Sequence, residues 1–132
     1  IIFGAFVSGM DAGKIYQNWP LMGNTFFPDD TKISSINNLF DFNNQSLVQF
    51  YHRNLAYFIT FYILIILFLI LKRKIKILYK PTLLLVTFLF LQILLGILTL
   101  ISGLNIYLAS AHQISSVLLV FSIVNLYYFH IK

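Results

Sequence analysis

Two histidines are the residues of this chain whose type and spacing best suit chemistry. His52 opens one long apolar segment and His112 lies near the start of another. Each precedes a basic residue by 20 positions (52 to Lys72, and 112 to Lys132). At ~1.5 Å per helical residue both imidazoles would lie roughly 30 Å from those basic residues, and therefore at one depth. The third histidine, His130, falls at the opposite edge and cannot join them.

Two neutral imidazoles that face each other across a helix bundle can bind a metal ion or the two faces of a haem. A bare zinc ion would need a third or fourth ligand, and the chain has neither cysteine nor glutamate. A haem needs only two axial ligands and room for a flat ring. Small or polar residues provide such room near His112, near His52 and along the segment between them: Ala109, Ser110, Ala111, Ser115, Ser116, Ala56, Gln92, Gly96, Thr99 and Gly103. The pattern favours His52 and His112 as ligands of a haem iron, while simple hydrogen bonding and close helix packing stay open as alternatives.

Three further polar residues accompany the histidines. Arg53 is a cation at the outer end of an apolar segment, where it can pair with an anionic ligand group such as a haem propionate or anchor the interface. Gln49 and Gln113 can orient an imidazole or satisfy helix ends. The sequence therefore predicts Arg53, Gln49 and Gln113 as secondary cofactor-binding residues.

The composition that must hold these residues is that of an integral membrane protein. Hydrophobic residues make up 59% of the 132 residues and charged residues only 10%, against about 25% in soluble domains. The net charge of +5 does not indicate nucleic acid, because five cations cluster between two apolar segments at 72–80. We predict an all-α transmembrane bundle and no nucleic-acid partner.

The segments divide as follows. Residues 1–10 resemble the end of a truncated helix, because the run is far shorter than the ~20 residues of a span. Residues 11–49 form a polar outer loop, and residues 50–132 contain spans at about 50–71, 81–101 and 107–131. The positive-inside rule places the loop 72–80 inside, and the loop 11–49 and the turn 102–106 outside.

Several motifs, taken in order, resemble the C-terminal half of haem A synthases, the Cox15/CtaA family. They are Gly4 to Gly13, the run from Asn18 to Gly23, the run from Val48 to Arg53, the run from Gln92 to Leu100, and Ala111-His112-Gln113. The resemblance covers essentially the whole chain. It implies a four-helix bundle that is half of an eight-helix, pseudo-symmetric protein.

The resemblance also implies a function. This half would hold haem b between His52 and His112, and the other half would oxidise a methyl group of the substrate haem o to the formyl group of haem a. The family's catalytic carboxylate corresponds in position to Gln49, so the catalytic residues are expected outside this chain. Membrane lipid, a haem O synthase, a second copy of the chain and an unidentified electron acceptor are the expected partners. The expected location is a bacterial inner membrane, with the mitochondrial inner membrane as the alternative.

Two other functions remain compatible with the sequence. A cytochrome b-like membrane electron carrier would use the same two ligands without any synthase activity. A non-enzymatic membrane subunit or transporter segment would use the histidines structurally, although transporters usually have broken helices at mid-membrane and here only Gly96 offers a break.

Overall fold

The computed structural model describes residues 1–31 and 41–132, so residues 32–40 of the predicted outer loop lie outside the described part. The described chain is all-α, as predicted. Its four helices are α1 (Ile2–Gly9), α2 (Gln45–Lys72), α3 (Tyr79–Ile101) and α4 (Ile106–Ile131), with short 3-10 turns at Ala12–Lys14 and Lys76–Leu78. By length and composition α2, α3 with its preceding 3-10 turn, and α4 can each cross a membrane. The chain is therefore a multi-pass membrane protein.

Asparagine residues form the N-caps of two of the long helices. The side chain of Asn44 accepts hydrogen bonds from the backbone N–H groups of Ser46 and Leu47, so α2 begins at Gln45, where hydropathy predicted about Phe50. Asn105 does the same for α4, accepting from Tyr107 and Leu108. Such caps satisfy backbone donors that have no partner inside the helix. The first turns of α2 are consequently polar and lie outside the apolar part of the span.

The chain reverses sharply between α2 and α3 at the basic loop. Lys74 takes a left-handed conformation (φ 53°), and the N–H of Ile75 returns to the carbonyl of Ile70 over 3.2 Å. This reversal satisfies a carbonyl at the end of α2. Pro81 then lies in the first turn of α3, where its missing N–H costs no helical hydrogen bond.

The helices pack in chain order. α3 and α4 form the most extensive pair, α2 contacts α3, and α1 contacts α2, whereas α2 and α4 are not an extensively packed pair. Ile63 of α2 meets Leu85 and Leu89 of α3 in the buried core, with Leu119 and Leu126 of α4 packed against them. α3 therefore contacts both helices that carry His52 and His112.

The outer loop is folded over residues 11–31. Met22 and Thr25 form an isolated β-bridge, and Ala12, Met22 and Pro28 are buried. The carboxylate of Asp29 accepts hydrogen bonds from the N–H of Asn24 (2.6 Å) and the hydroxyl of Thr25 (2.7 Å). These contacts hold the loop as a compact cap, which attaches to the start of α2 through the side chain of Gln45 and the carbonyl of Met10.

Candidate functional site

The structure places His52 and His112 at the same end of the bundle. His52 is seven residues into α2 (45 to 52) and His112 is six residues into α4 (106 to 112), so each lies ~10 Å from the start of its helix. His130 lies 18 residues further along α4 (112 to 130), or ~27 Å away, at the other end. The structure thus brings together the two predicted ligands and separates the third histidine from them.

The imidazole of His112 rests against α3. Its Nδ1 lies 3.1 Å from the backbone oxygen of Gln92, and its Nε2 lies 3.4 Å from the Nε2 of the same side chain. The hydroxyl of Ser115, which is buried, donates to Oε1 of Gln92. Gly96 lies beneath the ring, where a Cβ would come within 2.9 Å of Cε1. His112 is therefore oriented by a neighbouring helix.

His52 has a looser environment than His112. Its imidazole makes no hydrogen bond within the described part of the chain. Gly4 of α1 lies next to this imidazole, and a Cβ added to Gly4 would lie at an ordinary contact distance of 3.7 Å from Cε1 of His52. The two candidate ligands therefore differ, because His112 contacts the backbone of a neighbouring helix, whereas His52 has no hydrogen bond from its ring within the described residues.

Arg53 and Gln49 both contact the outer loop at Tyr16. The backbone oxygen of Tyr16 accepts from Nη2 of Arg53 over 3.0 Å and from Nε2 of Gln49 over 2.8 Å. A second arginine nitrogen, Nη1, donates to the backbone oxygen of Leu21 over 3.2 Å. These hydrogen bonds attach the loop to α2 beside His52.

Each of these two side chains keeps unused binding capacity. Gln49 is buried, and its Oε1 has no hydrogen-bond partner. Arg53 is half-buried, and the only ion pair among the described residues joins Lys14 to Asp11 elsewhere. Buried acceptors and cations normally have partners. A polar or anionic group bound next to His52 would fit this deficit.

Gln113 occupies a different position from the one expected of an orienting residue. Its side chain is exposed and makes no hydrogen bond to His112 in the described structure. Gln92 instead contacts that imidazole, a role that the sequence alone did not assign to it. The available signal was the spacing of Gln92 and Gly96, which lie four residues apart on one face of an otherwise apolar helix.

Asp30 joins the loop to α2 above the site. Its carboxylate accepts hydrogen bonds from the hydroxyls of Tyr16 (2.8 Å) and Ser46 (2.6 Å). Burial acts to raise the pKa of Asp30, but the hydrogen bonds to its carboxylate, from Ser46, Tyr16, its own backbone and Thr31, together outweigh burial and leave the pKa below its ordinary value. The ionised carboxylate is therefore the form that holds the cap in place.

The donor set suits a cofactor with two axial positions better than a bare ion. The described residues contain no group of three or more His, Cys, Asp or Glu side chains that could hold a metal ion. The site combines two imidazoles with a glycine, Gly96, that leaves space beside one ring. It also contains the unpaired buried oxygen of Gln49 and the cation of Arg53, which has no acidic partner among the described residues. These residues fit a haem, which would use the two imidazoles and offer acidic side groups to Arg53.

The fold and this site define a multi-pass helical membrane protein with two histidines at the same end of separate spans. The chain belongs to the COX15-CtaA family, described as cytochrome oxidase assembly proteins, whose sequence profile matches residues 1–124. The family resemblance seen in the motifs is thereby confirmed.

Similar proteins include three named Heme A synthase. The protein from Pelagibacter ubique is 43% identical over 92% of this chain and 36% of its own length. The protein from Rickettsia africae is 36% identical over 100% of this chain and 39% of its own length. The protein from Wolbachia pipientis is 38% identical over 90% of this chain and 32% of its own length. This chain thus spans about a third of the length of these curated relatives. No solved structure matches the chain significantly.

Proposed function

We propose that this chain is the haem b-binding part of a haem A synthase, with His52 and His112 as the axial ligands. The observation that carries the proposal is the position of the two imidazoles at one end of the bundle, on α2 and α4. These helices are not packed extensively against each other, which leaves the ligands to approach a group between them. The names of the relatives supply the reaction class, the formation of haem a.

The chemistry assigned to this part is electron transfer. A haem with imidazole on both faces supplies a one-electron iron couple and leaves no position for oxygen. His52 and His112 would hold it, and Arg53 would neutralise an acidic side group. The cap formed by residues 11–31 would limit the access of water, which influences the reduction potential. Oxidation of the haem o methyl group belongs, in this proposal, to residues outside the chain.

The charge pattern supports a site on the outer side of the membrane. The basic loop that follows α2 lies at the opposite end of the bundle from both histidines. Basic loops of this kind face the cytoplasm in bacteria. We infer a bacterial inner membrane, with the site near the outer surface. A haem held there by His52 and His112 would supply a redox centre close to that surface.

Absorption spectroscopy tests the ligands directly. The full-length protein, purified in detergent, should show a low-spin b-type spectrum in both oxidation states. His52→Ala and His112→Ala should each abolish the low-spin signature or the bound haem, whereas His130→Ala, the matched control at the other end of α4, should change neither. An unchanged spectrum in both His52→Ala and His112→Ala would refute the ligand assignment.

A further inference from the structure

The protonation of His112 follows from its contact with α3. A carbonyl oxygen can only accept a hydrogen bond, so the 3.1 Å contact with the backbone oxygen of Gln92 requires the proton on Nδ1. Nε2 then carries the free lone pair. The amide of Gln92, whose own oxygen accepts from Ser115, presents its N–H groups to that lone pair at 3.4 Å. Both contacts favour the same tautomer, the one in which Nε2 is the ligand atom.

The position of the ring depends on Gly96. A Cβ at this residue would lie 2.9 Å from Cε1, 3.3 Å from Nδ1 and 3.5 Å from Nε2 of His112. Any side chain would therefore push the imidazole away from α3 and lengthen the bond to Gln92. The equivalent contact at Gly4, 3.7 Å from the ring of His52, leaves room for a methyl group.

We propose that Gln92 and Gly96 form a surface, the α3 seat, that fixes the tautomer and the ring orientation of His112. Both are positioning residues, because they act through His112. The seat explains why a ligand on α4 is oriented by α3, the helix packed most extensively against it. The bond at Nδ1 leaves Nε2 as the ring atom that would bind a metal. This inference rests on the proposed function, in which Nε2 binds a haem iron.

Three glycine substitutions separate the seat from general effects of added volume. Gly96→Ala should lower haem affinity on the order of 10- to 100-fold, the usual cost of disturbing a ligand's orienting partner, and should alter the low-spin electron paramagnetic resonance signal. Gly4→Ala, which faces the other histidine, and Gly9→Ala, where nothing lies within 4 Å of the new methyl group, should retain both properties. Equal haem affinity and equal spectra in Gly96→Ala and Gly4→Ala would overturn the proposal.

The haem-free protein provides a test that does not depend on the cofactor. The ¹⁵N nuclear magnetic resonance spectrum of His112, assigned with a His52→Ala, His130→Ala background, should show a proton on Nδ1. Gly96→Ala should shift the population towards the Nε2–H tautomer. A wild-type imidazole protonated at Nε2 would overturn the proposal even if the Gly96 variant failed to fold.

A last variant distinguishes the carbonyl of Gln92 from its side chain. Gln92→Leu keeps the backbone oxygen and a similar volume, so the Nδ1–H tautomer and the low-spin spectrum should both survive. Loss of either would overturn the assignment of the orienting role to the carbonyl. If wild-type protein shows the Nδ1–H tautomer but never binds haem, the proposed function fails while the seat stands.

Discussion

Arg53 of α2 donates a hydrogen bond from Nη2 to the backbone oxygen of Tyr16 over 3.0 Å, which joins a membrane-spanning helix to the outer loop beside His52. Nη1 of the same guanidinium donates to the carbonyl of Leu21. Carbonyl oxygens satisfy the donors but do not neutralise the charge. Within the described residues no carboxylate pairs with Arg53. The cation can therefore serve two purposes, as a clamp on the loop and as a charge near the proposed haem.

Substituting Arg53 should separate these two purposes. Arg53→Gln removes the charge, and the reduction potential of the bound haem should fall by on the order of tens of millivolts, because a nearby cation favours the reduced iron. A unit charge at ~10 Å contributes about 2 kcal/mol at an effective dielectric constant of about 20. Arg53→Lys keeps the charge but loses the two-pronged contact with Tyr16 and Leu21. Its potential should stay near the wild-type value, while the loop becomes more accessible to protease.

Redox titration of both variants, with Lys14→Gln as a control, checks this prediction. Lys14 is exposed and belongs to a surface ion pair with Asp11, so its removal should leave the potential unchanged. A potential in Arg53→Gln equal to that of wild type would show that the charge does not act on the cofactor.

The attachment of the loop through Asp30 should depend on pH. The pKa of Asp30 in the folded protein lies below its ordinary value of 3.8. A group with a lowered pKa stabilises the fold above its unfolded value and loses that contribution as pH falls through the folded value. The loop of residues 11–31 should therefore be fully attached to α2 at neutral pH, and it should loosen below about pH 4, as Asp30 takes up a proton.

Trp19, the single tryptophan, lies in this loop and reports on it. In haem-free protein its fluorescence should change in an acid transition that begins below about pH 4. Asp30→Asn should show the acid-type emission already at neutral pH. Asp11→Asn is the matched control, because asparagine tolerates the left-handed backbone of Asp11 (φ 56°) and only a surface ion pair is lost. The same acid transition in Asp30→Asn as in wild type would rule out Asp30 as the attachment.

Hydropathy predicted the class of fold, an all-α membrane protein with three helices long enough to span a membrane. The apolar runs are long enough that no other structure can satisfy their backbone groups in a membrane. The structure begins α2 at Gln45 because the cap at Asn44 is a local hydrogen-bond feature that hydropathy does not register. A side-chain cap can extend a helix into a polar segment.

The site was predictable in part. Matched depth follows from helical rise alone, so His52 and His112 could be paired from the sequence. Which face of α3 meets His112 depends on how α3 and α4 rotate against each other, and the sequence does not state that rotation. For this reason Gln113, the neighbour in sequence, was the expected partner, whereas Gln92, the neighbour in space, makes the contact. The contacts of Tyr16 with Gln49 and Arg53 likewise depend on the folded path of the loop.

The cap at Asn44 should matter beyond local helix stability. Asn44→Ala removes the acceptor for two backbone N–H groups and should cost about 1 kcal/mol. Because Ser46 and Gln49 lie in the first turns of α2 and bind the loop, fraying there should also change the fluorescence of Trp19. Asn105→Ala loses an equivalent cap on α4. The loop packs against the preceding turn at Leu104, but in the described structure it forms no hydrogen bond with the first turn of α4. Thermal unfolding in detergent should show similar destabilisation in both variants, and only Asn44→Ala should alter Trp19 emission at moderate temperature. If both variants or neither changed that emission, the first turns of α2 would not be what holds the loop over the site.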